Sequence, residues 1–225
     1  MANKSALFGQ RVKRAAKIVA LLKKAYPKPK SELIYRTPFQ FVVAVILSAQ
    51  CTDKAVNRVT QSGLFKKYKT PADFAHAKSA IFQKEISSLP FFRNKTKSII
   101  LAAKDVVKKF GGKVPRNENE LQTLYGVGYK TAHVIMGELF NEWPGIPTDT
   151  HVKRFAKKFD LVDSNDLKKI SKELEALVPK KDWKYVNNGL VLYGRYICPA
   201  RKHDCRKHLL TKAWLPAADR WPKAK

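Results

Sequence analysis

Apolar residues recur at helical spacing along most of the chain. Near the N-terminus these positions are Val12, Ala15, Ala16, Val19 and Leu22. Steps of three or four residues place such side chains on one face of an amphipathic helix. A second run with the same period covers residues 99–110, and no strand-like alternation or internal repeat stands out. The pattern therefore predicts an all-α fold.

Helix boundaries are marked by threonine, proline and glycine. Thr37-Pro38 and Thr70-Pro71 each offer a capping hydroxyl before a proline at the first helical position, and Gly111-Gly112 marks a helix end. Further helices are predicted over 54–61, 118–124, 130–140, 150–158, 165–177 and 183–196. The proline-bearing loop at 141–150 is where we expect the chain to pass between two helical lobes.

The charge of the chain favours a polyanionic partner. Lysine and arginine total 45 against 18 acidic residues, which gives a formal net charge of +27. A single lysine run is usually a solvated face, but here the excess extends over the whole chain. A nucleic acid is therefore the expected partner.

Cysteine content and hydropathy bear on the compartment. The three cysteines are an odd number, and no signal-type apolar segment opens the chain. We expect a reducing, intracellular setting, which in a prokaryote means the cytoplasm or nucleoid. The longest apolar run, at 41–47, is far shorter than the ~20 residues that span a bilayer, so no membrane partner is expected.

A glycine-containing turn separates two apolar segments in "LQTLYGVGYKTAHVIM", residues 121–136. Gly126 and Gly128 flank Val127, and a helix is predicted to begin directly after them, which brings Thr131 into its first turn. Bare backbone N–H groups in such a turn can approach a phosphate directly. The pattern predicts a helix-hairpin-helix element that binds the DNA backbone without reading base sequence.

Lys130 lies in the first turn of that second helix. It could be a solvated lysine, a phosphate contact or an amine nucleophile. A helix N-terminus and basic neighbours both favour the neutral amine, which is the form that attacks an electrophilic carbon. Position alone leaves the three interpretations open.

Asp149 begins another helix in "PTDTHV", with Thr150 and His151 beside it. The simplest interpretation is an N-cap, because aspartate is among the best capping residues. The same carboxylate could also stabilise positive charge on a nearby sugar or orient an amine.

Four ordered motifs give the chain a family resemblance. They are "PFQFVVAVILSAQCTDKAVN", "LYGVGYKTAHVI", "PTDTHVKR" and "GLVLYGRYIC". Over residues 15–208 the sequence resembles the endonuclease III branch of the helix-hairpin-helix DNA glycosylases. The resemblance implies two α-helical domains with DNA and the active site in the cleft between them. One domain would be a helical bundle at 31–142, and the other would join 1–30 to a C-terminal lobe at 143–225.

The resemblance also implies residue roles. Lys130 would be the nucleophile and Asp149 its catalytic carboxylate. Gln50 would fill the space left by an extruded nucleotide, and Phe91 falls where a second wedge residue, commonly leucine, is found. The remaining DNA contacts would come from Gly126, Val127, Gly128, Thr131, His151, Arg201 and Lys202.

Lysine at position 130 favours a bifunctional enzyme, because relatives that only remove the base lack it. The implied activity is a DNA glycosylase and abasic-site lyase of base excision repair. Its substrates would be oxidised pyrimidines such as thymine glycol in double-stranded DNA, and it would act as a monomer. Two alternatives remain: a non-catalytic DNA-binding protein, against which Lys130 and Asp149 both argue, and a lyase acting mainly on another damaged base such as an oxidised purine.

The C-terminal region departs from the family pattern. The family commonly ligates a [4Fe-4S] cluster through C-x6-C-x2-C-x5-C, but the same frame here reads Cys198, Cys205, His208 and Trp214. Tryptophan cannot ligate iron, so we predict that the cluster is absent. The tail is expected to pack apolar side chains in its place, including Trp214, Leu215 and Trp221.

A zinc site in this region is conceivable, because its cysteines and histidines suit zinc and lie close in sequence. The four residues are Cys198, His203, Cys205 and His208. Unligated cysteines left from a lost cluster are the simpler account. The sequence therefore favours a protein without a metal cofactor.

Overall fold

The regular secondary structure is helical throughout the part of the chain that the structure describes. This structure is a computed structural model, and it describes residues 2–222, with side chains from residue 5 onward. The predicted all-α class is confirmed. None of the described helices is long and apolar enough to cross a membrane. Residue 1 and residues 223–225 of the predicted second domain and tail lie outside the described residues.

The chain divides into two compact units, each with its own hydrophobic core. Ser31–Glu142 is called the hairpin unit here, and Met1–Lys30 with Trp143–Lys225 is called the terminal unit. The helices of the hairpin unit are α2 (Pro38–Ser48), α3 (Asp53–Val59), a turn kinked at Gly63 (Thr60–Leu64), α4 (Phe65–Lys67), α5 (Pro71–Ala75), α6 (Ser79–Glu85), α7 (Phe92–Phe110), α8 (Glu118–Gln122) and α9 (Tyr129–Phe140).

Helix α2 forms the centre of the hairpin unit. The Thr37 hydroxyl accepts a hydrogen bond from the Gln40 backbone N–H at 3.3 Å, as the threonine-proline pattern predicts. Residues 39–47 are all buried, so the helix is surrounded by packed side chains. The Gln40 amide satisfies its donors on the carbonyls of Phe65 and Tyr68, at 2.9 and 3.0 Å. A polar side chain therefore joins α2 to the chain around α4 without a buried unpaired group.

Two other predicted boundaries are observed in this unit. Thr70 caps α5 in a reciprocal pair with Asp73, whose carboxylate accepts the backbone N–H groups of Thr70 and Lys69. These hydrogen bonds lower the pKa of Asp73 below its usual range. Helix α7 ends at Gly111, where φ is +57° and glycine carries no steric cost.

The terminal unit combines the N-terminal helix with the C-terminal third of the chain. Its elements are α1 (Ala2–Ala25), α10 (Thr150–Lys158), α11 (Leu167–Leu177), a 3₁₀ turn (Lys180–Asp182), a π-helical turn (Tyr185–Gly189), α12 (Leu190–Tyr196) and two 3₁₀ turns (Leu209–Ala213 and Leu215–Asp219). The helix predicted over 183–196 thus begins as a π-helical turn.

The core of the terminal unit encloses charged side chains as well as hydrocarbon. Arg14 of α1 donates to the carbonyls of Phe159 and Asp160, at 2.7 and 2.8 Å, just beyond the C-terminus of α10. Arg154 and Lys158 also donate to backbone carbonyls, those of Cys198 and Arg220 respectively, at 2.8 Å each. Cations satisfy orphan carbonyls well at helix ends, which accounts for their burial.

The packing of the C-terminal tail corrects one prediction. Trp214 packs against the core, with the Arg14 guanidinium 4.1 Å from its ring, and Trp221 is partly buried. Leu215 is 64% exposed, so the expectation that it packs inside was wrong. The small residues Ala217 and Ala218 take the buried positions of the last 3₁₀ turn, which leaves Leu215 in solvent.

Candidate functional site

The glycine turn between α8 and α9 is held by apolar anchors on both sides. Leu124 and Val127 are buried, and the Val127 N–H donates to the Leu124 carbonyl at 3.0 Å. Gly126 has φ of +81°, and a Cβ there would come within 2.7 Å of the Ser98 Cβ on α7. The turn therefore needs glycine at position 126 both for its backbone conformation and for its close packing on α7.

The N-terminus of α9 has no side-chain cap, because its N-cap residue is Gly128. The Ala132 N–H donates to the Gly128 carbonyl at 2.9 Å, so the amides of Lys130 and Thr131 precede the first intrahelical bond. A Cβ at Gly128 would meet no atom within 4 Å. Open space and outward N–H groups at a helix N-terminus suit a phosphate.

Lys130 is the second residue of α9, and its side chain is exposed, while Thr131 is half-buried. The amine thus projects into solvent beside the glycine turn. Tyr125 is 45% exposed at the other side of the turn, with the Lys97 ammonium 5.6 Å from its ring. A reactive or phosphate-binding lysine must be accessible in this way.

His133 fixes the two helices of the hairpin to each other. Its ring is 1% exposed, and Nε2 lies 2.9 Å from the Glu118 carboxylate on α8. The ring also packs 4.0 Å from that of Tyr129. The sequence indicates no role for His133. Its place three residues after Lys130 puts it near the same helical face, but its partner on α8 is visible only in the fold.

Gln50 and Phe91 share an unusual backbone conformation. Both are exposed, and their φ angles are +53° and +58°, in the left-handed region that non-glycine residues seldom adopt. Gln50 follows the end of α2, and Phe91 is the N-cap of α7. Such strain persists only where the surrounding structure enforces it, and it is common at functional sites.

Lys95 connects the segments that carry these two residues, and no motif in the sequence indicates this role. Its side chain is 5% exposed, and Nζ donates to the Leu47 carbonyl of α2 at 2.8 Å. Its backbone N–H donates to the Phe91 carbonyl at 3.0 Å. Burial lowers the pKa of the Lys95 ammonium below its usual range. One buried lysine therefore bonds to the segments on which Gln50 and Phe91 are presented.

Asp149 caps α10 in the terminal unit, as predicted. Its Oδ1 accepts the Val152 backbone N–H at 2.9 Å, which orients the carboxylate. The preceding loop is fixed at Ile146, whose carbonyl accepts the Ser171 hydroxyl at 2.8 Å and whose N–H donates to Glu175 at 3.2 Å. Helix α11 thus holds the loop that delivers Asp149, a contact that the sequence did not reveal.

His151 is half-buried two residues further on, in the first turn of α10. A Cβ at Gly194 of α12 would overlap the His151 ring and approach Phe155 within 3.0 Å. Glycine at position 194 is therefore required for α10 to pack this closely on α12. The motif "GLVLYGRYIC" carries part of the family resemblance, and the reason for its second glycine lies in this contact.

Arg201 and Lys202 are exposed in the loop that follows α12. Their exposure leaves both side chains accessible to a phosphate, and the contact itself stays a prediction. The buried thiols of Cys198 and Cys205 flank this loop.

The residues in the cluster frame do not fit a [4Fe-4S] cluster. The Cys205 Sγ lies 3.6 Å from the Ala218 carbonyl, and Trp214 is stacked under Arg14. Together with the lack of two thiolates, this arrangement leaves too few ligands for four irons.

The predicted site residues are distributed over both units. Lys130, the glycine turn, Gln50 and Phe91 belong to the hairpin unit, and Asp149, His151, Arg201 and Lys202 belong to the terminal unit. An all-α fold that presents a glycine turn beside an exposed lysine, in a chain of net charge +27, defines a DNA-binding protein of the helix-hairpin-helix class.

Comparisons with known proteins narrow this class. The model of the HhH-GPD superfamily base excision DNA repair proteins matches residues 43–180. The chain is 41% identical to endonuclease III of Synechocystis over 192 residues, covering 85% of this chain and 87% of the relative. It is 42% identical to endonuclease III of Bacillus subtilis over 181 residues, covering 80% and 82%.

Solved structures agree with the sequence relatives. A non-covalent endonuclease III–DNA complex superposes with a TM-score of 0.82 at 35% identity, covering 90% of this chain and 94% of that one. A trapped covalent endonuclease III–DNA intermediate gives the same TM-score and identity. The chain therefore belongs to the HhH-GPD superfamily of base excision DNA repair proteins, as a DNA glycosylase and lyase whose partner is DNA.

Proposed function

We propose that this protein removes oxidised or ring-damaged pyrimidines, of which thymine glycol is the type, from double-stranded DNA and cleaves the abasic sites that result. Lys130 supplies the nucleophile. The observation that carries the proposal is an exposed primary amine in the first turn of α9, directly after a glycine turn suited to a phosphate. A nucleophile beside a backbone anchor can reach a sugar of the same strand.

The reaction begins when the neutral Lys130 amine attacks C1′ of the damaged nucleotide. A C–N bond forms to Nζ, the glycosidic bond breaks, and the base leaves with the bonding electrons and is protonated. Opening of the sugar ring gives a Schiff base between Nζ and C1′. Loss of a C2′ proton then expels the 3′ phosphate by β-elimination.

Asp149 stabilises the positive charge that develops on the sugar during this attack. Its carboxylate is oriented by the Val152 N–H, so it needs little reorganisation as charge appears. The N-cap role and the catalytic role are compatible, because a carboxylate can accept several hydrogen bonds at once.

DNA binding uses the remaining site residues in different ways. The amides at Gly126, Gly128 and the start of α9 hold one phosphate, with buried Val127 anchoring the turn, while Thr131, His151, Arg201 and Lys202 add further backbone contacts. Gln50 and Phe91 enter the duplex where the damaged nucleotide leaves the stack. Their left-handed backbone, held through Lys95, keeps both side chains exposed.

The protein acts as a monomer and without an iron-sulfur cluster. Support for the second statement comes from Trp214 and Cys205, whose own contacts occupy two positions of the cluster frame. The proposed substrate is chromosomal DNA, so the protein works inside the cell, in the cytoplasm or nucleoid of a prokaryote.

Borohydride trapping tests the proposal. Duplexes carrying thymine glycol or an abasic site are incubated with wild type, Lys130→Gln or Lys104→Gln, the last an exposed lysine of α7 that matches the lost charge. We expect a covalent adduct with wild type and Lys104→Gln on both duplexes and none with Lys130→Gln. No adduct on either duplex would contradict the enzyme, and an adduct on the abasic site alone would contradict the pyrimidine substrate.

A further inference from the structure

Three potential metal ligands converge in the terminal unit, at the loop after α12. The Sγ of Cys198 and one ring nitrogen each of His203 and His208 lie within 4.8 Å of one another. We propose that Cys198, His203 and His208 bind a single Zn²⁺ ion. Thiolate and imidazole are the ligands that zinc prefers, and three protein ligands leave a fourth position for water.

The hydrogen bonding of His203 prepares one of its nitrogens for a metal. Nδ1 lies 2.7 Å from the Arg201 carbonyl. A carbonyl can only accept, so Nδ1 carries the proton and Nε2 keeps its lone pair. Metal-binding histidines are commonly fixed in one tautomer by such a second hydrogen bond.

The free nitrogens of the two histidines are buried without partners among the described residues. They are Nε2 of His203 and Nδ1 of His208. A buried polar atom without a hydrogen bond destabilises a fold by about 1–3 kcal/mol, so native proteins seldom leave two together. A zinc ion would satisfy both atoms at once.

Cys198 can supply the anionic ligand. Its side chain is 1% exposed, and the cations of Lys158 and Arg154 lie near its sulfur. On binding, Zn²⁺ replaces the thiol proton, which passes to solvent. The new thiolate neutralises one of the two positive charges of the zinc ion.

Cys205 is not part of this site. Its Sγ is directed to the Ala218 carbonyl at 3.6 Å. The proposed site therefore has three ligands, whereas the zinc site conceivable from the sequence had four. The sequence favoured unligated cysteines over a zinc site, because spacing alone could not distinguish the two. The convergence of Cys198, His203 and His208 favours zinc instead. Zinc here would fix the loop that carries Arg201 and Lys202.

Aromatic packing is the competing explanation for the same geometry. The His203 ring lies 5.0 Å from those of both His208 and Trp221. Packing alone predicts no bound metal and no special role for the thiol of Cys198. The two accounts therefore differ in a quantity that can be measured directly.

The test uses the full-length protein, freed of any affinity tag and stripped with a chelator. Zinc is added back and its content measured by atomic spectrometry, and Co²⁺ is added in parallel to report thiolate ligation by absorption. We expect one zinc per chain, a thiolate-to-cobalt charge-transfer band and a higher unfolding temperature with zinc. Cys198→Ser, His203→Asn and His208→Asn should each lose them.

Cys205→Ser and His76→Asn are the matched controls and should keep the metal, since one is a buried thiol outside the group and the other an exposed histidine of the hairpin unit. The site would be overturned if the wild-type protein bound no zinc, if His203→Asn still bound it, or if Cys205→Ser lost it. Iron and sulfide in the purified protein would overturn it as well. If Cys198→Ser fails to fold, the zinc content of His203→Asn decides whether the site exists. The His203 ring is partly exposed, so its loss should be tolerated by the fold.

Discussion

The two units present their candidate site residues by different means. In the hairpin unit, backbone conformation does most of the positioning: Gly126, Gln50 and Phe91 all have positive φ. In the terminal unit, side-chain contacts do it, because Asp149 is oriented by a capping bond and His151 fits where Gly194 has no side chain. Stability and function should therefore be tightly coupled in the first unit and separable in the second.

The units also differ in how they bury charge. In the described part of the hairpin unit, Lys95 is the one basic residue of lysine or arginine type that is buried. The terminal unit buries Arg14, Arg154 and Lys158, whose cations donate to backbone carbonyls. Three buried cations thus connect elements of the terminal unit, whereas α2 of the hairpin unit is bonded by one buried cation, Lys95, and one buried amide, that of Gln40.

The largest expected effect is in the terminal unit, where the helix-capping role of Asp149 can be separated from its proposed catalytic role. Asparagine caps helices about as well as aspartate, so Asp149→Asn should change the free energy of unfolding by less than about 0.5 kcal/mol. Loss of the carboxylate should slow base release by about 10²- to 10⁴-fold in single-turnover assays. Asp166→Asn, which alters the equivalent cap of α11, should leave the rate unchanged. A large loss of stability in Asp149→Asn would contradict the separation.

In the hairpin unit, a single methyl group should affect stability and DNA binding together. Gly126→Ala forces alanine into φ of +81° against Ser98, so we expect destabilisation by about 1–3 kcal/mol in urea unfolding. Gly128 has φ of −89° and open space around it, so Gly128→Ala should lower the free energy of unfolding by less than about 1 kcal/mol. Equal effects of the two substitutions would show that backbone conformation does not position the turn.

Lys95→Met tests the one buried lysine of the hairpin unit. Leaving the Leu47 carbonyl without its donor should destabilise the fold by about 1–3 kcal/mol at neutral pH, whereas Lys104→Met should have little effect.

The stability of the wild type should also depend on pH through Lys95. Because the pKa of Lys95 is lowered in the folded state, the unfolded state binds more protons at pH values between the folded-state pKa and the ordinary value of 10.5. Wild type should therefore gain stability as pH rises through this window. Chemical denaturation of both variants at several pH values measures this, and parallel profiles for wild type and Lys95→Met would contradict it.

The smallest effect concerns the exposed loop of the terminal unit. If Arg201 and Lys202 each neutralise one phosphate, glutamine at either position should lower the slope of log affinity against log salt by about 0.9. Arg206 is paired with Asp219 at 3.0 Å, so Arg206→Gln should change the slope less. Fluorescence anisotropy over a range of salt concentrations distinguishes these outcomes. An unchanged slope in both Arg201→Gln and Lys202→Gln would remove this loop from the DNA interface.

Local signals were sufficient for much of the fold. Thr37, Thr70 and Gly111 mark helix ends through their own backbone and side-chain chemistry, and the cap at Asp149 follows the same rule. The helical period gave the all-α class. The roles of Lys130 and Asp149 came from matched motifs, and they remain predictions.

Contacts between distant segments were beyond the sequence. The partner of Lys95 lies 48 residues away, and that of Ser171 lies 25 residues away, so neither could be paired by spacing. The left-handed backbone at Gln50 was hidden because glutamine gives no signal for it. Hydrophobicity also placed Leu215 inside, where smaller alanines already filled the space.

The most direct test of the central claim is the identity of the trapped amine. After borohydride reduction of wild type with an abasic duplex, nuclease and protease digestion followed by mass spectrometry locates the sugar remnant on the chain. We predict that it is attached to the Nζ of Lys130, within the peptide that follows the glycine turn. A remnant on any other lysine or on the N-terminal amine would contradict the account.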